Sequence, residues 1–257
     1  MLEQLFPQVR YALGNCAKFV SKPWFQYDLT SSDVTTIFGC SFGDAGWHHI
    51  RRTLQEFDEN PNIAVGETTL AQYLKNFSPT SISSLAGVTE EEPLPLFVYP
   101  WGTFTNGAVS TTKPLGNSRF CGPSSDEFIA DEFGRIIKLY TKLREEGYQP
   151  TKYPHSYLCG TWLHALDGRK RFVVMQGNHR MAILAHLKTS PIAVRTSKLA
   201  LRHIREADIT RWPLVSSGRC SVISAKKIFN YFFEELGWKV KASVEKNAMT
   251  KSLVRRS

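Results

Sequence analysis

Four consecutive residues between two apolar segments have the composition of an anion-binding turn. They are Gly177, Asn178, His179 and Arg180, within VVMQGNHRMAILAHL at 173–187. A glycine between a strand and a helix lets the backbone approach a ligand closely, and the N–H groups of the first helical turn attract anions. The Arg180 guanidinium binds phosphate oxygens in pairs, and His179 can donate to the same anion or transfer a proton. These types and spacing predict a phosphate site.

The same residues also fit a purely structural role. Gly177 would then cap a turn, and His179 and Arg180 would lie on a solvated helix face, because short motifs of this kind recur without function. The spacing alone leaves both interpretations open.

Carboxylates near a phosphate site could act as a general base or as Mg²⁺ ligands. The candidates are Glu127, Asp131 and Glu132, at the start of a long predicted helix. Asp131 and Glu132, together with His179, are the candidate catalytic residues. All three carboxylates also fit the ordinary acidic residues that the helix dipole favours in a first turn.

A loop just before this helix carries a further cation. Its sequence is NSRFCGPSSDE, which contains Arg119, Cys121 and Gly122. We expect Arg119 to bind the same anion or a second one, although an arginine and a glycine in a loop are also common without function.

A second segment with possible chemistry is FGCSFGDAGWHHI at 38–50. Glycines around Asp44 and His48 are typical of a loop that faces a ligand, so both are secondary site candidates. Neighbouring residues on a helix point about 100° apart, so His48 and His49 are poorly placed to share one metal ion. The favoured interpretation is a loop that enters a helix with one histidine buried and one exposed.

Composition restricts the class of protein only broadly. The chain has 257 residues, of which 42% are hydrophobic and 12% aromatic, enough to fill a core. Lys and Arg number 32 against 23 for Asp and Glu, a formal charge of +9, which permits nucleic acid, nucleotides, sugar phosphates or anionic lipid as partners. A net charge of this size also occurs simply for solubility.

The cysteine spacing and the N-terminal residues argue against several classes of site and protein. The five cysteines are scattered without a C-x-x-C pair, which argues against a cysteine-built zinc site, and their odd number argues against a disulfide scaffold. The first residues lack a basic and apolar leader, and no stretch approaches the ~20 apolar residues of a membrane span. We therefore expect a cytoplasmic protein without a cysteine-built metal site.

The N-terminal region, 1–117, is predicted to be helical and rich in loops. Apolar spacing indicates helices over 47–57 and 68–77, which would pack as one layer. Prolines, glycines and Ser/Thr clusters over 78–123 leave little room for regular structure beyond a short strand at 96–99. Aromatic residues in this stretch favour an ordered loop packed on the body: Phe97, Tyr99, Trp101 and Phe104.

A mixed α/β unit is predicted over 118–240. Its helix at 126–146 has Ser125 or Ser124 as N-cap and Gly147 as C-cap. Strands at 157–166 and 171–175 flank the hairpin turn DGRK, because Asp-Gly accepts the positive φ of a tight turn. The remaining elements follow in order: a helix at 178–187, a strand PIAVRT, a basic helix at 198–205 and an amphipathic helix at 223–236. The basic tail, 241–257, is predicted to be disordered.

The segment LYTKLREEGYQP…FVVMQGNHRMAILAHLKTSPIAVR resembles the ParB/sulfiredoxin superfamily over residues 132–195. The shared pattern is a helix ending in x-x-G-x-x-P, a strand, a strand reading V-x-x-G-x-H/R-R-x-x-A, and a closing strand. The resemblance implies an α/β core of that type, to which this chain adds an N-terminal helical layer and a C-terminal helix. It also implies that residues 177–180 contact the phosphates of ATP or CTP, usually with Mg²⁺, and that Ala182 is the small packing residue of the helix.

Departures from the family pattern narrow the reaction. Sulfiredoxins have a nucleophilic cysteine in G-C-H-R, where this chain has Asn178, so sulfinic-acid reduction is disfavoured. DNA-segregation clamps of the superfamily carry a helix-turn-helix domain, and the residues after 198 show no clear pair of short helices. We therefore expect nucleotide-dependent phosphotransfer to a small hydroxyl-bearing metabolite. The alternatives are a nucleotide-gated DNA-binding protein and a non-catalytic binder of nucleotides or phosphosugars.

Overall fold

The computed structural model describes residues 26–89, 93–103, 117–152, 157–196 and 201–254. It is a mixed α/β fold, which confirms the predicted class. None of the helices in these ranges is long and apolar enough to cross a membrane. The predictions for the first residues, for Phe104 and for residues 255–257 lie outside the described ranges.

Six strands of the described residues form one sheet, in the order β1-β7-β5-β6-β2, with β8 also paired to β5. β5 and β6 form an antiparallel hairpin, β7 and β8 run parallel to successive parts of β5, and β2 runs parallel to β6. β1 pairs antiparallel with β7. The strands of this sheet are β1 (Gln26–Leu29), β2 (Val34–Thr36), β5 (Leu158–His164), β6 (Lys170–Gln176), β7 (Ile192–Thr196) and β8 (His203–Arg205).

Two short strands, β3 (Val98–Tyr99) and β4 (Gly102–Thr103), form a separate hairpin. The sheet is covered by helices from both ends of the chain. They are α1 (His49–Glu59), α2 (Thr69–Asn76), α3 (Ile82–Ala86), α4 (Asp126–Glu146), α5 (Asn178–His186), α6 (Pro213–Ser216), α7 (Val222–Glu234) and α8 (Trp238–Val254).

The predicted sequence of elements from α4 to β7 is present in the structure. Helix α4 has the predicted bounds, with the Ser125 side chain accepting from the N–H of Phe128 and Gly147 following at φ 73°. The β5–β6 hairpin turns at Gly168, where φ is 88°. Strong local signals, namely a cap and an Asp-Gly turn, set these boundaries.

One sheet takes strands from both sides of the boundary predicted near 117. β1 and β2 come from the N-terminal region, and they pair with β7 and β6 of the C-terminal unit. The N-terminal region therefore supplies part of the sheet in addition to the predicted helices.

A carboxylate shared by three helices fixes the position of α5. The Tyr140 hydroxyl of α4 donates to Asp58 of α1 at 2.8 Å. His186 of α5 lies with its Nε2 2.7 Å from the other oxygen of Asp58. Because α5 is clamped at its C-terminal end, its N-terminal turn is held in a defined place.

Predicted disorder from residue 241 is wrong, because α8 continues to Val254. Val240 and Val244, four residues apart, are buried, and the Asn247 side chain donates to the carbonyl of Asn76 at 2.7 Å. Two valines form too short an apolar repeat to predict a helix from the sequence. The packing of α8 against α2, and not its own apolar repeat, stabilises the helix.

Two other predictions need correction. The basic helix expected over 198–205 is wrong at its end, because His203–Arg205 pairs with β5 as strand β8; residues 197–200 lie outside the described ranges. The stretch over 78–123 contains helix α3, with Ser81 as N-cap and Gly87 as C-cap. As expected, Tyr99 and Trp101 of this stretch are buried.

The turn between β6 and α5 requires glycine. Gly177 has φ 98° and ψ 24°, and a Cβ at this position would lie 2.5 Å from Cδ2 of Leu158. L-residues pay about 1–2 kcal/mol in the left-handed region, and the contact adds to that cost. We therefore predict that Gly177→Ala lowers the free energy of unfolding by at least about 1–2 kcal/mol in urea denaturation.

Gly134 is the matched control for this substitution. It lies inside α4, and a Cβ added there would have no other atom within 4 Å beyond its own helix backbone and chain neighbours. Gly134→Ala should raise the free energy of unfolding by up to about 1 kcal/mol. Equal stability of Gly177→Ala and the wild type would contradict the geometry of the turn.

Candidate functional site

A cavity of about 350 Å³ lies where β6 meets α5, and it collects the predicted phosphate-binding residues. Gly177, Asn178, His179 and Arg180 line one side, and Arg119 lines the cavity from the loop before α4. The structure therefore brings together two segments that are 58 positions apart from Arg119 to Gly177 in the sequence. The residue types had predicted that Arg119 binds the same anion as the turn or a second one, and in the structure the two segments line one cavity.

Local sequence explains how the turn is presented to this cavity. Val173 and Val174 of β6 are fully buried, and Gly177 then reverses the chain. The α5 residues from Met181 to Ala185 are all buried, Ala182 among them, so this short helix is anchored along most of its length. No side chain caps its first turn, which leaves the positive end of the helix dipole directed at the cavity.

Glu132 is the most deeply buried charged side chain of the site, with 1% of the residue exposed. Its Oε1 lies 2.7 Å from Nε2 of His179, and its Oε2 lies 3.8 Å from Nε of Arg119 and in contact with the guanidinium of Arg135. The two guanidinium contacts are ion pairs, and neither carboxylate oxygen has a hydrogen-bond partner within the described residues. Attraction to the two guanidinium groups therefore stabilises a carboxylate that burial alone would destabilise.

Glu132 is thus not an ordinary first-turn acid. It lies in the second turn of α4 and faces α5, beneath the cavity. Asp131 and Glu127 are exposed on α4, and neither lines the cavity. The geometry separates these three candidates: Glu132 contacts His179, whereas Asp131 and Glu127 are not brought to the site.

His179 is neutral at physiological pH. Burial, followed by the charges of three arginines, lowers the pKa of its imidazole to about 4; these are Arg135, Arg119 and Arg180. The Glu132 carboxylate beside Nε2 favours the tautomer that carries its proton there. Nδ1 is then the nitrogen that can accept a proton.

Backbone contacts hold Arg119 near the cavity. The N–H of Gly122 donates to the carbonyl of Phe77 at 2.6 Å, and that of Ser124 donates to the carbonyl of Leu74 at 3.0 Å. A Cβ on Gly122 would collide with the carbonyl oxygen of Leu74, so only glycine permits this approach. The Arg119 side chain remains 57% exposed and can reach a ligand.

Arg180 lies between the cavity and the start of β5. Its guanidinium nitrogens lie 3.4 and 3.6 Å from the position that a Cβ of Gly177 would occupy. Burial raises the pKa of the Cys159 thiol, and the positive charge of Arg180 opposes that shift. Arg180 therefore contributes both to the lining of the cavity and to the electrostatics of the adjacent strand.

Both histidines of the 38–50 segment are buried, which corrects the expectation of one exposed ring: His48 is 3% exposed and His49 6%. The helical separation of about 100° does not apply to these two side chains, because His48 is the N-cap of α1, with extended backbone at φ −146° and ψ 123°. The two rings are stacked, with centroids 4.7 Å apart. His49 stacks in turn on Tyr73, at 3.7 Å and 2° between planes.

Asp44 does not join this cavity. Its carboxylate is exposed and lies 2.5 Å from Arg51, whose hydrogen bond and positive charge lower the pKa of Asp44. It borders a separate groove of about 780 Å³, which His48 also lines. Of the two secondary candidates, only His48 lines the same cavity as the turn at Gly177.

Sequence reasoning missed Arg135, His49 and Tyr73 as parts of the site. Arg135 is three positions after Glu132, and this spacing places both side chains on one face of a helix. The pairing could therefore have been predicted from the sequence. His49 and Tyr73 lie on different helices, and only tertiary packing stacks them. Within the described ranges, no group of three or more His, Cys, Asp or Glu side chains is arranged to hold a metal ion.

No protein-family model, curated protein or solved structure matches this chain. The likeness of residues 132–195 to the ParB/sulfiredoxin superfamily therefore stays a prediction. The function has to be inferred from the site itself.

Buried neutral histidines make stability depend on pH. Burial lowers the pKa of His48 to about 3, and the pKa values of His49 and His179 are lowered as well. Below pH 6.5 the unfolded chain binds protons that the folded chain does not, so the free energy of unfolding falls as the pH decreases from about 6.5 toward these folded-state values. We predict a loss of about 2 kcal/mol from His48 alone between pH 7 and pH 5, measured by urea denaturation.

His48→Asn tests the assignment. Asparagine keeps an acceptor for the Ile50 N–H at the N-cap but removes the titrating group. The variant should lose about 2 kcal/mol less than the wild type over the same pH interval. Ser125→Asn, which exchanges another N-cap, should leave the wild-type pH dependence intact. Parallel pH profiles for His48→Asn and the wild type would contradict the assignment.

Proposed function

We propose that this protein binds a nucleotide through its phosphates at the cavity between β6 and α5. One observation carries the proposal: the uncapped N-terminus of α5 and two arginines, Arg119 and Arg180, from separate segments border the same cavity. Helix N-termini bind phosphate through backbone N–H groups, and guanidinium groups bind its oxygens in pairs. In this cavity a single ligand can contact both the backbone N–H groups of α5 and the two guanidinium groups.

The lining of the cavity also suits a ligand with an uncharged portion. Beside the cationic residues it includes Phe38, Ile50 and Met175. Small-molecule sites commonly combine apolar walls with a few polar groups that fix orientation. ATP and CTP, both of which the family resemblance implies, have this combination of phosphate and ring.

Mg²⁺ would accompany the phosphates. The described residues that line the cavity include no carboxylate. Mg²⁺ usually keeps several waters and binds substrate phosphates. We therefore expect Mg²⁺ to bind together with the nucleotide, through its phosphates.

Removal of either arginine tests phosphate binding. Arg119→Ala and Arg180→Ala should each weaken ATP or CTP binding by about ten- to a hundredfold in isothermal titration calorimetry, because a charge-assisted contact is lost. Arg180→Lys should recover little, because an ammonium group cannot reproduce the planar fork. Arg211→Ala, at a side chain that is 81% exposed and absent from the cavity lining, is the matched control and should bind as the wild type does.

Apo stability separates binding from folding. If Arg180 mainly supports β5, the alanine variant should melt several degrees lower and keep the intrinsic affinity of its folded fraction. That result would refute its role as a phosphate ligand. A thermal-shift series of ATP, CTP, GTP and ADP, with and without Mg²⁺, identifies the preferred nucleotide.

The contact between His179 and Glu132 favours phosphotransfer as a second candidate activity. His179 would accept the proton of a hydroxyl on a small molecule, and the hydroxyl oxygen would attack the terminal phosphorus of the nucleotide. The bond from that phosphorus to the bridging oxygen would break, and the nucleoside diphosphate would leave. Glu132 would act as a positioning residue, because it is buried beneath His179 and holds the imidazole near the first turn of α5.

This activity makes a kinetic prediction. His179→Asn should reduce diphosphate formation at saturating nucleotide, in the presence of a panel of hydroxyl-bearing metabolites, by about a hundredfold or more. Glu132→Gln should change the pH profile of the reaction, because the charge beside Nε2 is lost; Asp131→Asn, on the exposed face of α4, should not. Equal turnover by the wild type and His179→Asn, or no turnover with any acceptor, would rule out this candidate activity.

The DNA-binding alternative has weaker support in the described residues. Two lysines of α8 are paired with glutamates, Lys239 with Glu235 at 2.6 Å and Lys241 with Glu245 at 3.6 Å. Affinity for DNA that depends on phosphate contacts falls by orders of magnitude between low and moderate salt. Absence of a DNA mobility shift even at low salt would exclude this alternative.

A further inference from the structure

His49 is a further polar residue of the same cavity. It is the first residue of α1, it lines the cavity, and it is 6% exposed. Its Nδ1 is buried and has no hydrogen-bond partner. The neighbouring His48 likewise has a buried Nε2 without a partner, although its Nδ1 accepts from the N–H of Ile50. A buried polar atom without a partner destabilises the folded state, so a ligand at the ring edges that draws these nitrogens into a hydrogen bond would stabilise it.

The two imidazoles are fixed by their neighbours. Phe42, His48, His49, Tyr73 and Phe77 form a continuous stack, with successive centroids 4.4, 4.7, 3.7 and 4.9 Å apart. Both faces of His49 are therefore covered by other rings. A ligand can contact His49 only at its edge, where the nitrogens are, and this geometry selects for hydrogen bonding over stacking.

Charge distinguishes His49 from the cationic groups that line the same cavity. Burial lowers the pKa of His49 well below its ordinary value, with contributions from His48 and His179, so the ring is neutral. A neutral imidazole offers one hydrogen-bond donor and one acceptor. The arginines and the α5 N-terminus attract anions instead.

We propose that His49, supported by the stacked His48, hydrogen-bonds the polar edge of the nucleobase of a nucleotide bound in this cavity. The inference rests on the proposed nucleotide-binding function and names the part of the protein that contacts the base. A nucleobase fits because its edge carries neutral donors and acceptors and its faces suit the apolar lining. The subsite belongs to the N-terminal region, outside residues 132–195.

Substitution of His49 separates the base from the phosphates. His49→Phe keeps a planar ring for the stack on Tyr73 and removes both nitrogens. It should weaken ATP, CTP, adenosine and cytidine binding by about tenfold in calorimetry, the loss expected for one hydrogen bond to a buried group. Tripolyphosphate and ribose 5-phosphate, which lack a base, should bind within about twofold of the wild type. His49→Gln, which retains a donor and an acceptor, should recover part of the loss.

The outcomes distinguish this inference from the phosphate-binding proposal. Binding of nucleosides that depends on His49, without any binding of tripolyphosphate, would support the base subsite and refute the phosphate site. If tripolyphosphate binds, and if nucleotides and nucleosides bind the wild type and His49→Phe with equal affinity, the phosphate site is supported and the base subsite is refuted. The inference is also overturned if no nucleoside or nucleotide binds. It is likewise overturned if His49→Phe weakens the binding of ribose 5-phosphate as much as it weakens the binding of nucleotides.

A measurement on the unmodified protein guards against a variant that does not fold. The ring nitrogens of His49 in the ¹⁵N-labelled wild type should change chemical shift on addition of cytidine or adenosine and should not change with tripolyphosphate. Unchanged ring-nitrogen resonances at saturating nucleoside would overturn the inference independently of any substitution.

Discussion

Burial of the Glu132 carboxylate constrains the arrangement of the site. An ionised group with 1% exposure is stable only beside compensating charge, and here Arg135 comes from the same helix and Arg119 from the preceding loop. The same carboxylate contacts His179 in the first turn of α5. One buried charge thus joins α4, its leading loop and the turn after β6. The position of the candidate phosphate-binding residues depends on that junction.

The N-terminal region completes the cavity on its other side. β2 pairs parallel with β6, so the chain that follows β2 passes beside the turn at Gly177. The segment then enters α1 at His48 and His49, and the Tyr73 ring of α2 covers His49. The cavity consequently combines cationic side chains from one part of the chain with neutral, aromatic side chains from another. This division of charge is the basis for proposing a ligand with a phosphate and a ring.

Local sequence signals predicted the elements that carry the turn. Helix α4 was correctly bounded because Ser125 caps it and Gly147 ends it, and the β5–β6 hairpin was recognised from Asp167 and Gly168. The helix after Gly177 was expected from the same kind of information. By contrast, α8 and β8 were missed, because the first depends on two buried valines and the second on pairing with β5. Neither contact leaves a periodic pattern in the sequence.

The residue types alone predicted an anion-binding turn, because Gly177, His179 and Arg180 are adjacent in the sequence. They also predicted the mixed α/β class, since periodicity and turn residues are local properties. Tertiary packing was needed to show that Glu132 and not Asp131 contacts His179, and that both His48 and His49 are buried. Those facts depend on which faces of distant elements pack together. Packing is set by long-range burial and charge compensation, which residue spacing along one chain does not encode.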